Sequence, residues 1–522
     1  MKKLYIALFT SCLMLTASSC KKYLDVNTNP NSPQTVTANL YLSPMLHWMA
    51  TSAQFDSRFI NRYTQNMTVT TTNSTWDRHG YDLSSDNGGQ LWRDVYFSLG
   101  QNLIDMMTKA EAEQRWDLLG VGYILKAWGW QSLTDVHGEI IIKEAFNPQQ
   151  STFNYDSQEF AYQEIQRLLN LAITNLKRTD GAVDAAFLGK TDLIYKGDRT
   201  KWLKFAYGML AMNLNHFTNK KSLYKPDDII AAVDQSFANN SDDPLLTYTG
   251  VSNDDRNFLG PTRGNFNLHR QTLFILSLMD GTQFSGTVDP RMTRMLSPSP
   301  DGQYRGLNPT FGNGGLTANQ IPNNIFGYPA ATSVIGTPSR YLFDDKSKLP
   351  IMTYSQLQFI KAEAAYLKGD KNTALQAYTN GVSSHIDFVN SRNLDAAQTP
   401  LQITATEKAT FLASPAVIPA ASALTLSKIM EQKYIAQWGW GCLEQWMDLR
   451  RYHYTDIDNA TGNQVFAGFV IPVNLYPDNV GKPVYRIRPR FNSEYVWNIA
   501  SLDKIGALAP DYHTKPIWIV QP

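Results

Sequence analysis

The sequence predicts a mostly α-helical fold, in which tetratricopeptide-like helix pairs stack as an α-solenoid scaffold with a long loop-rich region laid on it. Three observations carry that expectation. Several stretches repeat apolar residues at helical spacing. One of them doubles back as a helix–turn–helix unit of about 34 residues. Between residues 239 and 348 that periodicity gives way to turn residues interleaved with aromatics.

The chain opens on Lys2 and Lys3, an apolar run over residues 4–15, and the small residues Ala17, Ser18 and Ser19 leading into Cys20. A positive end, a short apolar stretch and a small-residue cleavage point make a secretory signal over residues 1–19. The run is about 12 residues where about 20 are needed to span a bilayer, so a permanent membrane helix is not expected. Small residues closing on a cysteine form a lipobox, in which Cys20 is alkylated by diacylglycerol and then acylated by chains such as palmitate. Each buried CH₂ contributes about 0.8 kcal/mol, so two or three chains hold a domain at a membrane. Ordinary cleavage after Ser19 is the other reading, and it leaves an exported protein without an anchor. Residues 20–39 read as the lipidated cysteine and a tether rich in Asn and Pro. Asp25, Asn27 and Asn29 have the spacing of the start of a calcium loop, but Pro30 and Val36 stand where that loop needs Gly and Glu.

Residues 40–522 read as a single helical domain with a loop-rich insertion at about 239–348. Residues 91–109 and 118–133 predict two helices, and Gly120, Gly122 and Gly129 in the second imply close helix approach. Residues 163–177 place Ile165, Leu168, Leu169, Ala172, Ile173 and Leu176 on one stripe. Residues 200–217 offer Trp202, Phe205, Ala206 and Met209 at similar spacing, with Asp198 or Thr200 as the cap, and the two stretches suit an antiparallel pair. Residues 354–390 form the clearest unit: one helix, a turn at Gly369-Asp370, and a second helix carrying Ala374, Leu375, Ala377, Tyr378 and Val382. Residues 424–452 are the last long helical stretch.

Composition excludes some functions. Lys and Arg number 47 against 46 Asp and Glu, and charged residues make 18% of the chain. Without a basic excess there is no electrostatic footprint for nucleic acid. Of three cysteines, Cys12 leaves with the leader and Cys20 is committed to lipid, so Cys442 has no disulfide partner and reads as a buried hydrophobe. The eight histidines are scattered, so no metal site is legible and no cofactor is expected. Gly189-Lys190-Thr191 ends like a phosphate loop but has Asp184 where the first Gly belongs. Trp438, Trp440 and Trp446 read as core residues of a helix, and Glu444, Asp448, Arg450 and Arg451 as internal ion pairs, with no catalytic group assigned.

A sugar binder needs flat apolar platforms for the ring faces with amides and charges around them. Two segments offer that mixture. Trp76, Arg78 and Tyr81 with Trp92 form one, and Arg263, Asn265 and Phe266 with Tyr304, Phe311 and Tyr328 form the other.

Several stretches, in order, resemble the SusD/RagB-like family of nutrient-binding outer-membrane lipoproteins. They are Cys20 with Tyr23-Leu-Asp-Val-Asn-Thr-Asn-Pro30, residues 130–138, residues 197–205, residues 359–365 with Gly369, and Glu431-Gln-Lys-Tyr434 continuing into residues 444–451. The tether resembles that of the SusD-like branch. The resemblance implies four tetratricopeptide-like helix pairs, loops that bind an oligosaccharide or another nutrient such as a glycopeptide, and no catalysis. It also implies a SusC-like TonB-dependent outer-membrane transporter as partner, over which the lipoprotein closes as a lid, and a location at the outer membrane facing the cell exterior. Lys21-Lys22 stand where surface lipoproteins of this kind often carry acidic residues. Two other readings fit the same residues: a lipid-anchored glycoside hydrolase, and a helical-repeat scaffold that binds only protein.

Overall fold

The computed structural model describes residues 36–329, 340–395 and 402–522. The leader, the lipobox with Cys20 and the tether up to residue 35 lie outside the described residues.

After a short turn, α1 (Leu42–Tyr63) buries Leu46, Met49, Ile60 and Tyr63 in the main core. The first predicted pair follows as α2 (Gly100–Ala112) and α3 (Trp116–His137), joined by three residues. The helix expected over 91–109 does not form as one piece. A single turn at Gln90–Arg93 and a wide π-type turn at Asp94–Leu99 precede α2. The reason is the buried carboxylate of Asp94, which accepts from Gln90 Nε2 at 2.8 Å and Ser98 Oγ at 2.7 Å. Local side-chain bonds of this kind compete with the regular helical ladder.

The apolar stripe of 163–177 lies on α4 (Gln158–Lys177), with Ser157 as its cap. It packs on α3 and on α5 (Arg199–Asn215). Asp198 is the cap of α5, its carboxylate accepting from the amides of Thr200 and Lys201. The glycines of α3 permit close approach as expected. A Cβ on Gly120 would stand 2.6 Å from Leu176 of α4, and one on Gly122 would stand 2.6 Å from Met107 of α2.

Next come α6 (Pro226–Asp234), α7 (Tyr354–Lys368) and α8 (Lys371–Leu394). The turn between α7 and α8 is the predicted one: Gly369 adopts φ 93°, a left-handed value that suits Gly, and Asp370 caps α8 by accepting from Thr373 N. The capped helix α9 (Ala405–Ala413) precedes α10 (Leu426–Gln437) and α11 (Cys442–Arg451). The single stretch expected over 424–452 is therefore two helices, broken at 438–441, where Gly439 has φ 86°. Trp438 and Trp446 are core residues, but Trp438 and Trp440 sit in the break, not in a helix.

Contacts run in succession from α2 to α3, α4, α5, α6, α7 and then α8 and α10. Each helix buries its apolar face against its neighbours, as in an α-solenoid. The fold is mostly helical, and α3/α4 and α7/α8 are its most closely packed helix pairs.

A buried charged network joins α7, α10 and α11 to His216, which follows α5. Lys433 Nζ lies 2.8 Å from Asp448 and 3.1 Å from Glu444, Arg451 meets Asp448 at 2.5 Å and Glu363 at 2.8 Å, and His216 Nε2 lies 2.9 Å from Glu444. Burial alone would raise the Glu363 carboxyl, but the Arg451 guanidinium outweighs it and brings the group to about 2. The ion pairs expected of Glu444, Asp448 and Arg451 are thus internal. Arg450 departs from that expectation: it donates to the carbonyls of Trp446 and Tyr485 and lies over the Trp446 ring at 3.8 Å. Cys442 is buried, and burial pushes its thiol up.

Two short antiparallel strand pairs fasten the insertion to this scaffold. β1 (Met67–Val69) pairs with β3 (His269–Gln271), and β2 (Leu245–Leu246) pairs with β4 (Leu349–Pro350).

Candidate functional site

The two aromatic loop segments meet. β1 continues the chain out of α1 and β3 belongs to the insertion, so their pairing brings residues 64–93 alongside residues 260–330. Beyond it, Thr72 bridges to Phe311 and the Asn73 amide donates to Thr310 O at 3.0 Å. A third segment, residues 468–476, closes on both. Gln65 Nε2 donates to Val470 O at 2.6 Å, Asn474 Nδ2 to Asn73 Oδ1 at 2.5 Å, and Arg78 to the carbonyls of Asn474 and Leu475 at 2.7 and 3.1 Å.

Where the three segments converge there is a cleft of about 340 Å³. Phe311, 54% exposed, stands on one wall, with Leu273 and Pro309 beside it, and Val470, Pro472 and Val473 form the other. Its polar lining is Gln65, Ser277, Gln283 and Asn308, and among the described residues no ionisable side chain lines it. Gly312 allows the Phe311 turn: it has φ 57°, and a Cβ there would stand 2.7 Å from Thr70 O.

Only part of the predicted platform set reaches solvent. Trp76 is buried between Phe59 (4.6 Å between rings) and Tyr63 (5.2 Å), with Tyr81 packed on its edge at 5.4 Å. Phe266 is fully buried against His269 at 4.9 Å. Trp92 is buried edge-on to His137 at 5.0 Å and borders a different cleft. These four rings are core residues here, because the apolar area each buries outweighs what exposure to an occasional ligand would return. Arg78 clasps the third segment. Arg263 donates to Asn253 O and lies 3.7 Å from Asp254. Asn265 and Tyr304 are half-buried and do not line the cleft. Tyr328 is also half-buried, with its hydroxyl enclosed and lacking a hydrogen-bond partner. Of the residues named from sequence, Phe311 alone lines the cleft. His79 and His269, near the β1–β3 junction, are buried, and burial pushes each down to about 3, so both are neutral.

Sequence reasoning missed the wall at residues 470–473. The signal was present as an apolar run, Phe469-Val-Ile-Pro-Val473, interrupted by proline and without helical period. Phe469 of this run is buried, while Val470 is 62% and Val473 81% exposed.

The family model for proteins described as "starch-binding associating with outer membrane", SusD-like, matches residues 30–477. The chain belongs to the SusD-like family. Solved SusD structures share its fold. A SusD/RagB family protein from Bacteroides thetaiotaomicron superposes with a TM-score of 0.68 at 19% identity, covering 93% of this chain and 99% of its own. A SusD homologue from Bacteroides fragilis gives 0.71 at 17% identity, covering 93% and 100%. A chitin-binding SusD homologue from Flavobacterium johnsoniae gives 0.65 at 21%, covering 92% and 98%. No curated protein sequence matches the chain. Among the described residues, no helix is long and apolar enough to cross a membrane.

Proposed function

We propose that this SusD-like chain is a lipid-anchored outer-membrane protein that binds an oligosaccharide, or another nutrient such as a glycopeptide, and delivers it to a SusC-like TonB-dependent transporter. It acts by binding, with no bond chemistry of its own. The observation that carries the reading is the cleft at Phe311. It offers an exposed ring for stacking and amide and hydroxyl groups for hydrogen bonding, with no charge to select against a neutral polyol. The family's starch-binding description and the chitin-binding neighbour support a glycan as ligand. The anchor rests on Cys20, and the transporter and the outward orientation rest on the family resemblance.

The test is calorimetry of the mature protein against starch and chitin oligosaccharides. Phe311→Ala is expected to weaken binding about 2- to 10-fold, the worth of one aromatic stacking contact of about 0.5–1.5 kcal/mol, with an unchanged unfolding midpoint. Unchanged affinity would remove the cleft from the reading. Reproducible release of shortened glycans would replace binding with hydrolysis, and a transporter complex that co-purifies without sugar affinity would favour the scaffold.

A further inference from the structure

A second, larger cleft of about 480 Å³ lies away from Phe311, built from residues 92–97, 141–153 and 490–494. Aromatic side chains dominate its walls: Trp92, Tyr96, Phe97, Phe146 and Phe153. The rings are mutually tilted, Trp92 to Tyr96 at 4.9 Å and 52°, and Tyr96 to Phe146 at 6.3 Å and 50°. An inserted flat ring would meet edges and faces at the separations aromatic pairs favour. The walls are held in place without a ligand. The Tyr96 hydroxyl donates to Ile141 O at 2.8 Å and accepts from Ile141 N at 2.9 Å, and Asn498 holds both backbone groups of Phe153 at 3.0 and 3.1 Å. Phe97 stands 71% exposed at the mouth, with the Arg93 guanidinium 5.4 Å from its ring centre.

The polar lining limits what the cleft can hold. Arg490 is paired with Asp86 at 2.5 Å, Arg93 faces Asp94 at 3.4 Å, and Glu494 accepts from the Tyr155 hydroxyl at 2.6 Å and Asn498 at 2.9 Å. The arginines are already ion-paired and Glu494 is already hydrogen-bonded, so the lining holds no free countercharge for an anion or a cation. The tilted rings share no flat face for a sugar to stack on, and with the arginines and Glu494 already partnered most of its hydroxyls would go unpaired, which costs free energy for each. One polar group is left waiting: Ser493 lines the cleft, and its hydroxyl, enclosed beside the cleft, has no hydrogen-bond partner and reaches a ligand by turning about its Cα–Cβ bond. We infer that this cleft is a separate binding site for an uncharged aromatic group bearing a hydrogen-bonding oxygen, such as a phenol. The ring fills the aromatic walls, and the oxygen pairs with Ser493. This site is independent of the glycan cleft at Phe311.

The probe is 2-naphthol, titrated into the mature protein by calorimetry and saturation-transfer NMR, with 2-naphthoate as the charged counterpart and a neutral hexasaccharide as the polyol. Saturable 2-naphthol binding is expected, with the naphthoate at least about tenfold weaker because its charge is desolvated where both arginines are already ion-paired. Phe97→Ala should weaken 2-naphthol about fivefold and Ser493→Ala about threefold, with glycan affinity at the other cleft unchanged in both. Should Ser493→Ala fail to fold, the exposed Phe97 still carries the test. Absence of saturable binding, equal affinity for the anion, displacement by the hexasaccharide, or indifference to Phe97→Ala would each overturn the assignment.

Discussion

His216 sets a pH limit on the stability of the scaffold. Its ring is fully buried, with Nε2 2.9 Å from Glu444 and Nδ1 3.6 Å from Asp135. Burial alone would lower its pKa, but the two carboxylates outweigh burial and raise it from 6.5 to about 9. A histidine whose pKa is higher folded than unfolded stabilises the protein fully below the unfolded value, and that contribution is lost as pH rises through the folded value. Here the window runs from about 6.5 to about 9, and at about 1.4 kcal/mol per pH unit it is worth about 3 kcal/mol. The perturbation is His216→Gln, and the assay is urea unfolding of both proteins at a series of pH values from 6 upward. The variant should be less stable by about 3 kcal/mol at pH 6, and the gap should close above pH 9 as wild-type His216 deprotonates. Asp56, raised by burial to about 7, and Glu431, raised by burial to about 8, titrate in both proteins and cancel in the difference. A gap that stays constant across the series would refute the protonated assignment.

Three further outcomes are expected, the last resting on the sequence reading of Cys20. Lys433→Met leaves Glu444 and Asp448 without their shared buried cation and should cost about 3–5 kcal/mol by denaturant unfolding. Trp76→Ala should cost about 3–5 kcal/mol of stability, measured the same way, while glycan affinity changes little, because the ring is sealed between Phe59 and Tyr63. Cys20→Ala should move the protein from the membrane fraction to the soluble fraction on cell fractionation, with no incorporation of labelled palmitate.

Local signals in the sequence identified much of the scaffold. The stripe from Ile165 to Leu176 and the Gly369-Asp370 turn are each decided within a few residues of themselves and stand as read, and the cap of α5, left open between Asp198 and Thr200, is Asp198. Reading failed where a distant or buried group decides. Asp94 rearranges its own turn only because it is buried, and nothing in residues 91–99 announces that burial. The binding loops show the same limit more sharply. Trp76, Tyr81 and Phe266 look like free platforms in an Asn- and Gly-rich setting, and the rings of Phe59, Tyr63 and His269 that cover them become visible only once α1 and β3 are in place. Phe311 escapes burial because the bridge to Thr72 holds its backbone and leaves its side chain to solvent. The opposite wall, at 470–473, lies some 160 residues further along the chain, so no short-range pattern could join it to Phe311.

The bridge between Thr72 and Phe311 is made by main-chain groups, and so is the neighbouring bond from Asn73 N to Thr310 O. Backbone pairing of this kind does not read the identity of the side chain it carries. Position 311 can therefore accept Trp, Tyr or an amide without a change in how the loop is fastened, with Gly312 kept for the turn. If the proposed cleft is the binding site, a side chain mounted in this way can change ligand preference by single substitution at a fixed point in space, and position 311 is the place to begin such retargeting.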